Sequence, residues 1–173
     1  MKYIVTFMAI MSIGINLLKA PVPIEAMTLE ARAEAASMSV DDFILISSVC
    51  EAESNRCQDS TEGRRYIALC ILCRVRDTRF PNTIRGVLTQ SGQFSTVRNG
   101  HSVTNRTDLS DQAVIEAVQW MNSGEDYPWL LFFNCRGYAT GSYYTGYACI
   151  AGNYFSIAEP SLPSKLMEGG ATN

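Results

Sequence analysis

The 173-residue sequence contains a single histidine, His101. That scarcity excludes most chemistry built on imidazole. A zinc peptidase or amidase needs a His/Asp/Glu ligand set, and no such set is present. A serine triad needs a histidine base, and no G-x-S-x-G turn occurs. A Cys/His peptidase stays open only through His101, which sits in the polar stretch Asn99-Gly100-His101-Ser102. Charge is also in short supply. Charged residues make up 18% and the net charge is −3, with pI near 5.2. Binding to nucleic acid through general electrostatics needs a Lys/Arg surplus, so no nucleic-acid partner is expected. Six arginines between 64 and 85 (Arg64, Arg65, Arg74, Arg76, Arg79, Arg85) leave room for a local basic patch. No internal repeat is visible.

What is present reads as one exported globular domain. The hydrophobic fraction is 47%, enough for a real core. At the N-terminus Lys2 precedes an apolar run from Tyr3 to Leu18, and Lys19 ends it. Its length, about 16 residues, suits a signal h-region better than a membrane span of roughly 20. The cleavage site is ambiguous, because Pro21 follows Ala20 and the Ile24-Glu25-Ala26 stretch is a weak second choice. An uncleaved anchor that contacts the membrane is the alternative. Either way the domain is expected outside the cytoplasm.

Six cysteines fit an oxidising address: Cys50, Cys57, Cys70, Cys73, Cys135 and Cys149. Roughly 15 pairings are open to six cysteines. Local chain geometry favours Cys50 with Cys57 and Cys135 with Cys149. Cys70 and Cys73 stand three apart on an expected helix, where a mutual bridge would be strained. Their C-x-x-C spacing is half a zinc site, but the other half is missing, so no metal or cofactor is expected.

Along the chain, residues 1–20 form the signal or anchor and 21–38 a linker. Residues 39–158 form the domain proper and 159–173 a tail. The linker's Glu30 to Ala36 has helix propensity without a strong apolar face, and reads as a short helix or a solvated tether. Ser39 caps a first helix that reaches Glu51 or Glu53. A second runs from about Glu62 to Val75 on the Ile67, Ile71, Val75 stripe. Pro81 opens a short one from Thr83 to Thr89. Asp108-Leu109-Ser110-Asp111 opens a long helix, Asp111 to Asn122, with Val114, Ala117, Val118 and Met121 inward, and Gly124 closes it. Leu130 to Phe133 and Tyr154 to Ile157 read as strands, and Gly137 to Tyr147 as a loop or ragged hairpin. Helices first and a small sheet later indicate an α+β fold.

With imidazole chemistry nearly excluded, carboxylates remain, and these are the standard tools for glycosidic bonds. A general acid must hold its proton at working pH, which a partly apolar pocket promotes. Glu51 follows Ser47-Ser48-Val49-Cys50 at the end of an apolar helix, so a half-buried, raised-pKa carboxyl is expected there. Read alone, it is equally a solvated helix-end glutamate.

Several ordered stretches resemble the SleB-type cell-wall hydrolase family, best known from enzymes that degrade spore cortex. The family's apolar helix ending in Ala-Glu-Ala corresponds to Val49-Cys50-Glu51-Ala52-Glu53. Its Glu-Gly pair opening a helix that ends in Asn-Arg-Val corresponds to Glu62-Gly63 and then Cys73-Arg74-Val75. Phe80-Pro81-Asn82-Thr83-Ile84 and Gln93-Phe94-Ser95 follow, then Leu131-Phe132-Phe133-Asn134 and Gly152-Asn153-Tyr154-Phe155. The match spans about residues 42 to 157. FPNTI with GQFS at this spacing is its specific part. There are departures. The loop after Glu51 looks long and carries Cys57, Cys73 replaces Asn, and Tyr154 replaces His.

The resemblance implies a lysozyme-like α+β fold, mainly helical with a small sheet in the C-terminal half. It implies an enzyme that cuts peptidoglycan glycan strands between N-acetylmuramic acid and N-acetylglucosamine. The implied mode is a lytic transglycosylase giving 1,6-anhydro ends, with Glu51 catalytic and no cofactor. Gln93 and Ser95 are then candidates to hydrogen-bond sugar, or they form a turn. Asn134 is a candidate for an N-acetyl group, or it ends a strand. Tyr138, Tyr143, Tyr144 and Tyr147 stack on sugar rings or pack the surface. Phe80, Phe94 and Trp120 belong to the core, and Trp129 is open. Glycan strands are the expected partner, and the chain is expected to act as a monomer in the wall, outside the cell or on the spore. Two alternatives stand: a non-catalytic peptidoglycan-binding module, and a Cys/His peptidase on wall peptides.

Overall fold

Each α-helix whose start lies among the described residues begins on a serine or threonine whose side chain caps it. The computed structural model describes residues 22–54, 60–94, 97 and 105–158. In α1 (Leu29–Ala35) Thr28 Oγ1 accepts from the Ala31 amide at 3.3 Å. Ser39 caps α2 (Val40–Glu53) through the Asp42 amide, and Ser60 caps α3 (Thr61–Arg76) through the Gly63 amide. Thr83 caps α4 (Ile84–Leu88). Thr107 and Ser110 form a reciprocal capping box on α5 (Asp108–Asn122). These side chains satisfy amides that have no partner within the helix.

The helices then sort by how much of their surface is apolar. In α2 seven residues from Phe43 to Cys50 are buried, and in α3 nearly all from Gly63 to Arg74. Helices apolar on most sides belong inside, and these two form the centre of the fold. In contrast α5 is amphipathic: Val114, Ala117, Val118 and Met121 are buried while Gln119 is exposed. It packs on α3 and α2. The short α4 packs on both as well. Gly86 lets the FPNTI turn close onto it. A Cβ there would meet the Pro81 Cβ at 2.7 Å and Thr83 Oγ1 at 2.8 Å.

The strands are β1 (Leu130–Asn134), β2 (Tyr144–Ile150) and β3 (Asn153–Ala158). They form one antiparallel sheet in the order β1-β3-β2. Register runs from Leu130↔Ile157 to Asn134↔Tyr154, and from Tyr144↔Ala158 to Ile150↔Asn153. Ala151 and Gly152 make the two-residue hairpin turn, both at positive φ (50° and 81°), as a primed turn requires. The sheet rests on α3 through β1 and β2. Its core members are Leu130, Leu131, Phe132 and Phe155.

Two expectations need correcting. Residues 24–36, expected within a linker whose Glu30 to Ala36 stretch would be a short helix or a tether, include the short helix α1, and they are docked on the domain. Arg32 is buried and its guanidinium bonds Asp108 (2.7 Å), Asp111 (2.6 Å) and the Ile24 carbonyl (2.7 Å). One charge-assisted cluster therefore pins α1 to the start of α5. The region Gly137 to Tyr147, expected as loop or hairpin, gives way to strand from Tyr144. That strand continues to Ile150 as an exposed edge. The signal or anchor segment 1–20, the loop around Cys57, Ser95, His101 and the tail lie outside the described residues. Among the described residues no helix is long and apolar enough to cross a membrane.

Candidate active site

Glu51 lies in the last turn of α2, where the helix stops being buried. Its side chain keeps 20% of its exposure. The neighbouring helices converge on it. From the first turn of α3, Arg64 donates Nε to Oε2 at 2.8 Å and Nη2 to Oε1 at 2.9 Å, a two-pronged ion pair. The Arg64 side chain is itself nearly buried, and its Nη1 donates to the Ser60 carbonyl at 3.1 Å. From the N-cap of α5, the Thr107 hydroxyl donates to Glu51 Oε2 at 2.7 Å.

This arrangement inverts the expected electrostatics. Burial does push the Glu51 carboxyl up, as the sequence suggested. The Arg64 bonds, the Thr107 bond and the Arg64 charge together outweigh it, and the net displacement is below the ordinary glutamate value. The resting carboxyl is ionised, not neutral. Sequence reasoning missed Arg64 and Thr107 as parts of the site. Nothing among the residues around Thr107 signals its proximity to Glu51, 56 positions away.

Among the described residues, none of the other anticipated ones is hydrogen-bonded to the Glu51 carboxyl. Gln93 sits near the opposite end of α3, where its Oε1 accepts from Arg74 Nη1 at 2.7 Å. Positions 64 and 74 are about 15 Å apart along a helix axis. Asn134 folds its Oδ1 back on the Arg136 amide at 2.8 Å, so it makes the strand-end turn. Tyr144 meets the Phe132 ring edge-on at 5.1 Å, and burial raises its hydroxyl pKa. Tyr143 packs half-buried against the core. Tyr138 and Tyr147 are exposed. Tyr147 stacks on Tyr66 at 6.2 Å, and Tyr138 meets Tyr154 edge-on at 5.1 Å. Phe80 and Phe94 are core, as expected, while Trp120 is only partly buried beside Arg65 and Tyr66.

The arginine run is not a surface patch. Arg64 and Arg74 are buried, Arg79 pairs with Asp77, and Arg76 reaches Asn122 and Tyr127. Arg74 lies within 5.2–5.4 Å of the Phe80, Phe94 and Phe132 rings and donates Nε to the Leu131 carbonyl at 2.7 Å.

Cys135 and Cys149 are exposed free thiols in the structure, not the expected bridge, and Cys50, Cys70 and Cys73 are buried and free. Burial pushes the Cys50 thiol far up, Cys70 to about 11 and Cys73 to about 12. Thiols held protonated in this way are poor nucleophiles. Among the described residues no three His, Cys, Asp or Glu side chains cluster to hold a metal.

The geometry is that of a lysozyme-like α+β fold with a helix-end glutamate. The structure resembles the catalytic domain of the Bacillus cereus SleB protein at TM-score 0.56 and 24% identity, covering 69% of this chain and 91% of that one. It also resembles the catalytic domain of the germination-specific lytic transglycosylase SleB from Bacillus anthracis. There the TM-score is 0.56 and the identity 23%, over 69% and 96% of the two chains. No curated protein matches. The profile described as Cell Wall Hydrolase matches residues 58–147, just over half the chain, so the chain belongs to the cell wall hydrolase family. The matched segment contains Arg64, Gln93, Thr107 and Asn134. It begins after Glu51.

Proposed function

We propose that this cell wall hydrolase cuts peptidoglycan glycan strands between N-acetylmuramic acid and N-acetylglucosamine as a lytic transglycosylase, with Glu51 as the acid and then the base. The observation that carries the reading is the placement of Glu51. It is a half-buried carboxyl at a helix end, held by Arg64 and Thr107, with a fifth of its surface open. A lytic transglycosylase needs one such group. It protonates the bridging oxygen as an oxocarbenium-like state develops. It then takes the proton from the sugar's own 6-hydroxyl as the 1,6-anhydro ring closes. No water is activated, so a second carboxylate is not required. The hydrogen-bond partners of Glu51 are a guanidinium and a hydroxyl, which agrees with that economy.

Gln93, Ser95, Asn134, Tyr143 and Tyr144 take lesser parts in this reading. Gln93 and Asn134 each give a side-chain oxygen to a structural bond, with the Arg74 guanidinium and the Arg136 amide, and sugar contact is their secondary role. The bond of Gln93 to Arg74, near the far end of α3 from Arg64, supports assigning it to the outlying sugar units. The domain works outside the cytoplasm, delivered by residues 1–20, on the wall or spore cortex and as a monomer.

The test is mass spectrometry of muropeptides released from purified peptidoglycan. The wild type releases anhydro-ended products, and Glu51→Gln loses activity by about 10²–10⁴-fold, the usual contribution of a general acid. Reducing ends in place of anhydro ends would make the enzyme a hydrolase. Unimpaired digestion by Glu51→Gln would remove Glu51 from the mechanism.

A further inference from the structure

We propose that Arg64 is a positioning residue for Glu51: it fixes which carboxyl oxygen meets the substrate, and its fork must loosen before Glu51 acts as an acid. The inference rests on the reading of Glu51 as the acid, and adds a control element to it.

Lone-pair accounting gives the first half. A carboxylate offers roughly four acceptor positions, about two on each oxygen. Oε2 takes Arg64 Nε at 2.8 Å and the Thr107 hydroxyl at 2.7 Å, which fills it. Among the described residues Oε1 takes only Arg64 Nη2 at 2.9 Å. The open position is on Oε1, so a transferable proton is carried there.

The anchors give the second half. Arg64 is nearly buried and tied to the carbonyl of Ser60, the residue that caps α3. Thr107 is the cap of α5 and still accepts from the Ser110 amide at 3.2 Å. Glu51 is thus held from the N-terminal ends of two helices, where anions are favoured. A guanidinium only donates and stays charged, so it stabilises a carboxylate and opposes a proton on the oxygen it bonds. Glu51 gains its proton from solvent as the Nη2 bond to Oε1 weakens, and passes it to the bridging oxygen.

Other charges nearby do not replace this control. On α2, Cys50 is held protonated by burial and Glu53 is an anion. On α3, Glu62 is exposed in the first turn. At α5, Arg106 and Arg32 are turned to Asp111 and Asp108. Among the described residues, Arg64 is the cation hydrogen-bonded to Glu51.

The experiment compares wild type, Arg64→Gln and Arg64→Lys. One arm titrates Glu51 by carbon NMR of glutamate-labelled protein, with its signal identified by its absence from Glu51→Gln. The other records muropeptide release against pH. With the fork removed, Glu51 titrates at higher pH, and the alkaline limb of activity moves up by the same interval. Lysine, a single point charge, falls between. A Glu51 titration unmoved in Arg64→Gln overturns the proposal whatever the activity. An active Glu51→Gln overturns the catalytic reading instead, and the NMR arm still decides the role of Arg64. Should Arg64→Gln not fold, Arg64→Lys carries the same comparison.

Discussion

Arg74 allows a sharp test of what holds the C-terminal end of α3. It is a fully buried guanidinium, and among the described residues no carboxylate answers it. Its partners are the Leu131 carbonyl, the Gln93 amide oxygen, the Cys70 thiol and three phenylalanine faces. Consider Arg74→Met, close in volume and uncharged. Two charge-assisted bonds vanish, about 1.5–3 kcal/mol each. Three ring contacts vanish, about 0.5–2 kcal/mol each. Against that, methionine does not bear the desolvation cost of a buried cation, which is several kcal/mol. The remainder is a destabilisation of about 3 kcal/mol, or roughly 6–12 °C in Tm for a chain of this size. Arg74→Lys keeps the charge but not the planar fork, and loses about half as much. Urea unfolding followed by circular dichroism measures both. A methionine variant as stable as wild type would show that desolvation cancels every contact named here. A lysine variant less stable than methionine would show that the charge itself is the burden.

Arg32→Ala leaves Asp111, which is fully buried, facing only Arg106 at 3.3 Å, and costs about 3–5 kcal/mol. Hydrogen exchange should then quicken over residues 24–36 more than over α3. Asp77 is held down to about 2, first by its bond to Arg79, against burial, with the Trp129 indole adding a further bond. A depressed carboxylate stabilises the fold above its unfolded value, near 3.9, and loses that as pH falls through about 2. Asp77→Asn should therefore be less stable than wild type by roughly 2 kcal/mol at pH 7, with the gap closing between about pH 4 and 2. A gap independent of pH refutes this account of the pair.

Helix order and the Ser39 cap were legible because each lay within a few consecutive residues. Ser39-Val40-Asp41-Asp42 announced α2, and Asp108 onward announced α5. β1 was legible as an apolar run. β2 was not, because it is mostly exposed and has no apolar face, and its pairing with β3 makes it a strand. The docking of residues 24–36 was hidden for a related reason. The segment's apolar residues are scattered, with Ala33 and Ala36 buried, and they are joined by an arginine meeting two aspartates 76 and 79 positions away. Gln93 and Asn134 were singled out as sugar contacts, yet each has an oxygen in a structural bond. A motif marks where polar groups are needed without saying whether a ligand or the fold uses them.

The same limit explains the inverted charge state of Glu51. Its helix reports burial, which raises a carboxyl, and burial was the only influence that consecutive residues could reveal. The opposing influence arrives from 13 and 56 positions away, as a guanidinium fork and a hydroxyl. Where burial is partial and two charge-assisted bonds are short, the bonds win. On the proposed chemistry this state is not idle. The ionised carboxyl is the form that removes a proton from the 6-hydroxyl in the closing step. Only the opening step requires it to be neutral. On that reading, the opening step waits for the Arg64 fork to loosen and let a proton onto Oε1.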